Sequence, residues 1–258
     1  MEADWVESYY EAVEFFYWEP QHLGKRKHAN AELDSVSSVR KRLRNMEVTL
    51  NQNLHQFFLL APDLLRNELF AQLFGKPLQG QLSLHGRDVD EEFKLQNSVQ
   101  PDLLFTSDAQ IVSLEMKLGA KSSITQVIKY ALLGLAVELK HGSQKEHFLG
   151  FLGAGSFANQ WKEGFSSIAE LREAIDKEDA DVFLKNSNRP AHFRAHTLRF
   201  AEIVRNLSFG FLTYEGLDGF LSRSSPITSD TSAGAQVYRK LIDGLIGEIK
   251  RRKLTQQA

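Results

Sequence analysis

The stretch Pro101–Lys117, PDLLFTSDAQIVSLEMK, restricts the fold more than any other part of the chain. Its centre, Ser107-Asp108-Ala109-Gln110, consists of turn formers and polar residues. Downstream, Val112, Leu114 and Met116 alternate with Ile111, Ser113, Glu115 and Lys117, so the two sets occupy opposite faces of a strand. If residues 107–110 close an antiparallel hairpin, Thr106 pairs with Ile111, and the same register sets Asp102 opposite Glu115. Those two carboxylates then share one side, with Lys117 two residues further on. The other side carries Leu103, Phe105, Val112, Leu114 and Met116, all apolar.

This arrangement predicts strain. Residues directly opposite on a sheet lie about 5 Å apart, and like charges there repel. At an effective dielectric of about 20 the repulsion is roughly 3 kcal/mol. A compensating cation is therefore expected. Lys117 supplies part of it, and a divalent metal with a preference for carboxylate oxygens, Mg2+ or Mn2+, supplies the rest. The plainer alternative is a salt-bridged surface hairpin.

The same residues resemble a known motif. Pro101-Asp102, a spacer of twelve residues and Glu115-Met116-Lys117 look like the PD-(D/E)xK signature of the restriction-endonuclease-like nuclease superfamily. After Gly119-Ala120-Lys121-Ser122-Ser123 comes the apolar helical pattern ITQVIKYALLGLAVELKH, in which Gln126 and Tyr130 stand one helical turn apart. This pair resembles the QxxxY element of RecB-like exonucleases. The resemblance spans about residues 64–214. It implies an α/β fold: a central mixed β-sheet flanked by helices, with an N-terminal helical extension and a C-terminal helix. It also implies metal-dependent hydrolysis of phosphodiester bonds, in DNA rather than RNA. The implied catalytic set is Asp102, Glu115, Lys117, Gln126 and Tyr130. Asp102 and Glu115 are the expected metal ligands, joined by Glu68 from the preceding helix, with His55 as its rival. Read without the resemblance, Ser123-x-x-Gln126 is a capping box and Tyr130 a core residue with its hydroxyl at the edge.

The 258 residues accommodate one large domain, or one domain with helical additions. The expected division is a helical extension at 1–60, a core at 61–215 and a helical tail at 216–258. Without cysteine there is no disulfide and no thiol chemistry. Together with an acidic, aromatic start, this fits a cytoplasmic protein. No apolar run reaches the roughly 18 residues that span a membrane. A net charge of −2 leaves nucleic-acid binding to local patches. Candidates are Lys25-Arg26-Lys27-His28, Arg40-Lys41-Arg42 with Arg44, and Lys250-Arg251-Arg252-Lys253.

Amphipathic spacing predicts helices at 4–18 (Trp5, Tyr9, Val13, Phe16 and Tyr17 on one side), 34–60, 63–74, 123–140, 163–177, 189–206 and 233–253. Strands are expected at 78–84, 98–106, 111–118, 147–153 and 207–214, and a loop or short strand at 87–93. Asp88, Asp90, Glu91 and Glu92 form an acidic cluster. His192 and His196 have a zinc-compatible spacing, though a structural role is favoured. Two rival functions remain. One is a catalytically silent nucleic-acid-binding or assembly protein on the same fold. The other is an interaction protein whose N-terminal helices, with Trp5, Tyr9 and Phe16, engage a second copy or another protein.

Overall fold

The computed structural model describes residues 4–18, 41–86, 88–185, 190–226 and 230–255. The chain divides into two compact units, one made of residues 62–216 and the other joining 1–61 with 217–256.

The central unit is an α/β structure around a five-stranded sheet in the order β1-β2-β3-β4-β5. The strands are β1 (Ser83–Leu84), β2 (Leu103–Thr106), β3 (Gln110–Lys117), β4 (Glu146–Gly153) and β5 (Ser208–Thr213). The turn at Ser107–Ala109 brings β2 back antiparallel to β3, with Thr106 opposite Ile111 and Leu103 opposite Leu114, as the hairpin reading expects. β4 and β5 are parallel to β3. Parallel neighbours need a crossover connection, and helix α5 (Ile124–His141) provides the one between β3 and β4. Left-handed Gly142, at φ 68°, ends that helix, its N–H bonding to Glu138 O.

Both faces of the sheet are covered, so the hairpin is not a surface hairpin. On one face, helix α3 (Asp63–Phe74) buries Leu65, Leu69, Phe70 and Leu73. Phe70 meets Phe105, and Phe74 meets Phe148, both with ring centroids 5.1 Å apart. The helix approaches closely because Gly150 and Gly210 pair across β4 and β5. A Cβ on Gly210 would lie 2.4 Å from Leu73 O. On the other face, Leu104, Ile111, Leu149 and Phe151 pack with Val127, Ile128, Tyr130 and Ala131 of α5. Helices α6 (Ile168–Ile175), α7 (Ala180–Lys185) and α8 (Thr197–Asn206) complete that layer.

Several expected elements differ. Residues 78–84 contribute only the two-residue β1. Of the 87–93 segment, residue 87 lies outside the described residues, and 89–93 is neither loop nor strand but a short helix, α4 (Val89–Phe93), because Val89 and Phe93 are one helical turn apart and both bury. The 34–60 helix begins anew at Glu47 as α2 (Glu47–Leu60), after extended Met46. Residues 191–196 form a 3-10 helix, so His192 and His196 do not share a face as an α-helical pair.

The second unit contains α1 (Trp5–Trp18), α2, most of α9 (Tyr214–Ser224) and α10 (Ala233–Arg251). Glu248 of α10 is fully buried. It accepts hydrogen bonds from Tyr10 Oη and Arg252 Nε, both at 2.6 Å. Burial, opposed by Arg252 and reinforced by Glu248, pushes the Tyr10 phenol up to about 12. Arg252 also donates to Thr49 Oγ1 at 2.9 Å and Met46 O at 3.1 Å. One cation of the basic run 250–253 is therefore an internal tie. Arg251 and Arg44 also face carboxylates, those of Asp4, Glu7 and Glu248. The Lys25–His28 patch, Arg40 and the side chains of Phe16 and Tyr17 lie outside what is described. No described helix is long and apolar enough to cross a membrane.

Candidate active site

The β2–β3 register determines what meets at the end of the hairpin. The ladder ends at Leu103–Leu114, and Asp102, the residue just before β2, lies beside the end of β3. The Met116 N–H donates to Asp102 Oδ2 at 2.6 Å. Glu115 lies on the face covered by α5 and is 3% exposed. A buried carboxylate needs donors, and Glu115 has three. Lys117 Nζ and Gln126 Nε2 each approach Oε1 to 2.5 Å, and Tyr130 Oη donates to Oε2. Gln126 and Tyr130 reach the same carboxylate because they stand one turn apart on α5. The structure thus brings together all five residues of the expected catalytic set.

Two expectations change. The Gln126 side chain does not close a capping box at Ser123, since it bonds to Glu115 instead and Ser123 makes no side-chain cap bond. The predicted repulsion between Asp102 and Glu115 is offset within the protein. Lys117 contributes charge, Gln126 and Tyr130 contribute polar hydrogens, and the Met116 amide holds Asp102. Burial, then the negative charges of Glu115 and Asp102, raises the Tyr130 phenol well above its ordinary value. Tyr130 accordingly keeps its proton and donates a hydrogen bond to Glu115 throughout the neutral range.

Glu68 does not join this group. It is exposed on α3, whose buried residues face the opposite side of the sheet from Glu115. Its position beside the Leu65–Leu69–Leu73 stripe is compatible with either face of a strand layer, so the sequence alone could not exclude it. His55 belongs to the other unit. In the acidic cluster, Asp90 Oδ1 accepts from the Asn97 N–H at 2.5 Å, and Glu92 meets Lys140 at 2.8 Å and His85 at 3.2 Å. These are local ties. Among the described residues no three His, Asp or Glu side chains gather as a metal cage. The donor set at the hairpin is two carboxylates. That set fits Mg2+ or Mn2+, hard cations that are held by one or two carboxylates and keep several waters.

Beside Gln126 and Tyr130 opens a polar cleft of about 330 Å3, whose other walls include Ser98, Gln100 and Lys129. The 94–97 loop leads into it with Lys94, Gln96 and Asn97 in the left-handed region, at φ 55°, 52° and 59°. Left-handed non-glycine residues carry a conformational cost and cluster at functional sites. No sequence pattern marked Ser98. Lys129 was visible as a polar residue in an apolar helix, but no motif drew attention to it.

A second buried network lies on the same helix. Glu138, 5% exposed, accepts from Arg199 Nε and Nη2 at 2.8 and 2.7 Å and from the Lys145 N–H at 2.8 Å. His147 Nε2 stands 2.7 Å from Oε1. Burial pushes the Glu138 carboxyl up, but the Arg199, His147 and Lys145 hydrogen bonds outweigh it and hold it at about 2. Its signal in the sequence was the one carboxylate of a largely apolar helix.

No family model matches the chain, and searches of curated proteins and of solved structures found no match either.

Proposed function

We propose that the protein is a metal-dependent nuclease of the PD-(D/E)xK type, hydrolysing phosphodiester bonds in DNA in preference to RNA. One observation carries the reading: Asp102, Glu115, Lys117, Gln126 and Tyr130, chosen for their resemblance to two separate motifs, converge at one hairpin end beside a polar cleft. The element order, helix α3, three antiparallel-paired strands with α4 between the first two, crossover helix α5, β4, helices α6 to α8 and β5, supports a restriction-endonuclease-like core.

Asp102 and Glu115 would hold Mg2+ or Mn2+. Such an ion, when bound, lowers the pKa of its water and polarises a phosphoryl oxygen. Lys117 sits at the Glu115 carboxylate, where its ammonium can orient the attacking water and offset charge that develops on the phosphate. Gln126 and Tyr130 fix the Glu115 rotamer by bonding to its two oxygens. They are positioning residues in this account, acting through Glu115.

One observation favours the silent alternative, in which the fold binds nucleic acid without cleaving it. Both Glu115 oxygens already accept bonds from protein donors. The test is incubation of labelled single- and double-stranded DNA and RNA with Mg2+, Mn2+ or EDTA. The nuclease reading predicts cleavage of DNA with either metal and none in EDTA. Binding without cleavage under all conditions establishes the silent alternative.

A further inference from the structure

The cleft beside Gln126 and Tyr130 combines several features that suit an anion. Its lining includes one ammonium, Lys129, and no carboxylate. Ser98 stands in its wall, 3% exposed, and its Oγ has no hydrogen-bond partner in the described structure. A buried hydroxyl left unpaired is unfavourable, and a ligand that bonds to it relieves that cost. The facing wall is the beginning of α5, with Ser123 at the cap, Thr125 in the first turn and Lys129 in the second. There is no acidic residue in that first turn. The positive end of an 18-residue helix therefore acts together with Lys129. The volume, about 330 Å3, is at the low end of small-ligand pockets, which run from about 300 to 1,000 Å3. It admits one nucleotide-sized group and not a stacked base pair.

We propose that this cleft is a phosphate subsite that takes a single unpaired nucleotide adjoining the scissile bond. Lys129 supplies the charge, Ser98, Ser123 and Thr125 the hydroxyls, and the Gln100 amide can bond the base or sugar edge. The inference rests on the nuclease reading for the identity of the ligand, and it makes unpaired strand the preferred substrate form.

The test is binding, which is independent of cleavage. Fluorescein-labelled oligothymidylate, and the same strand paired with oligoadenylate, are titrated with the full-length protein in EDTA. Anisotropy is followed at several salt concentrations. The proposal expects the single strand to bind at least about tenfold more tightly than the duplex. Lys129→Gln should weaken single-strand binding about tenfold and flatten its salt dependence by about one counterion. Lys129→Arg should restore it. Ser98→Ala should weaken binding without lowering Tm, since it removes an unpartnered hydroxyl. Wild-type affinity and salt slope in Lys129→Gln, equal binding of the duplex, or no binding of the single strand would each overturn the proposal. Lys129-dependent binding by a protein that cleaves nothing in Mg2+ or Mn2+ supports the subsite and removes the nuclease reading. Cleavage by a protein whose binding ignores Lys129 does the reverse.

Discussion

Glu115 concentrates the chemistry of the site at a single residue. Its carboxylate is nearly sealed between β3 and α5, yet it receives three donors. That reverses the expected effect of removing its charge. If repulsion from Asp102 dominated, Glu115→Gln would stabilise the metal-free protein. With Lys117, Gln126 and Tyr130 all donating, the new amide would turn its own hydrogens toward donors. Glu115→Gln should therefore lower stability in EDTA by about 1–3 kcal/mol, the cost of leaving buried polar groups unpaired. Thermal melts in EDTA decide it, and a higher Tm for the variant would restore the repulsion account. The sequence made the pairing of Asp102 with Glu115 legible, because turn formers at 107–110 and strict alternation in β3 leave one register. It named Lys117 but left Gln126 open as a donor to Glu115, because whether Gln126 caps its own helix or crosses to the sheet depends on tertiary packing.

Among the elements, α5 and α3 press on the sheet from opposite faces, and each suggests its own test. Glu138 ties α5 to α8 through Arg199 and to the start of β4 through Lys145 and His147. Its carboxyl is held at about 2, below the roughly 4.3 of a free glutamate. The folded state then binds fewer protons than the unfolded state in that interval. The contribution is fully present above about pH 4.3 and is lost as pH falls toward about 2. The difference in Tm between wild type and Glu138→Gln should accordingly shrink between about pH 5 and pH 2. A constant difference would show that Glu138 acts without its charge. On the other face, Gly210→Ala places a methyl against the Leu73 carbonyl. It should cost about 1–3 kcal/mol by overpacking, read as a lower midpoint in urea, and a wild-type midpoint would contradict the close approach of α3. Most helices were legible from spacing, whereas α4, α7 and α9 were not. The face that α3 chooses was not, since its stripe says which residues bury and not what they bury against. Glu68 therefore looked available to the hairpin carboxylates, which lie across the sheet from it.

At the scale of the whole molecule, the sequence order hides a junction, because segments more than 200 positions apart build one unit. Trp5 donates from Nε1 to Leu241 O at 3.1 Å, and Tyr10 to Glu248. No local pattern announces such pairs. Glu248 and Arg252 looked like one turn of a charged helical tail, and burial is what makes them a tie. Glu248→Ala should leave the Arg252 guanidinium, 2% exposed, buried without its carboxylate, at a cost of about 3–5 kcal/mol. Hydrogen exchange should then show protection lost in 5–18, 47–60 and 233–251. Uniform loss across the chain, or none, would contradict an independent network in that unit. The central claim is that the hairpin end of the other unit hydrolyses phosphodiester bonds with a metal. The most direct measurement is single-turnover cleavage of labelled single-stranded DNA in Mg2+ by wild type and Lys117→Ala, normalised to folded protein. The account predicts cleavage by wild type that EDTA abolishes, and a loss of at least about 100-fold in the variant, the scale of losing one stabiliser of transition-state charge. Wild-type rates in Lys117→Ala, or cleavage that persists in EDTA, would contradict it.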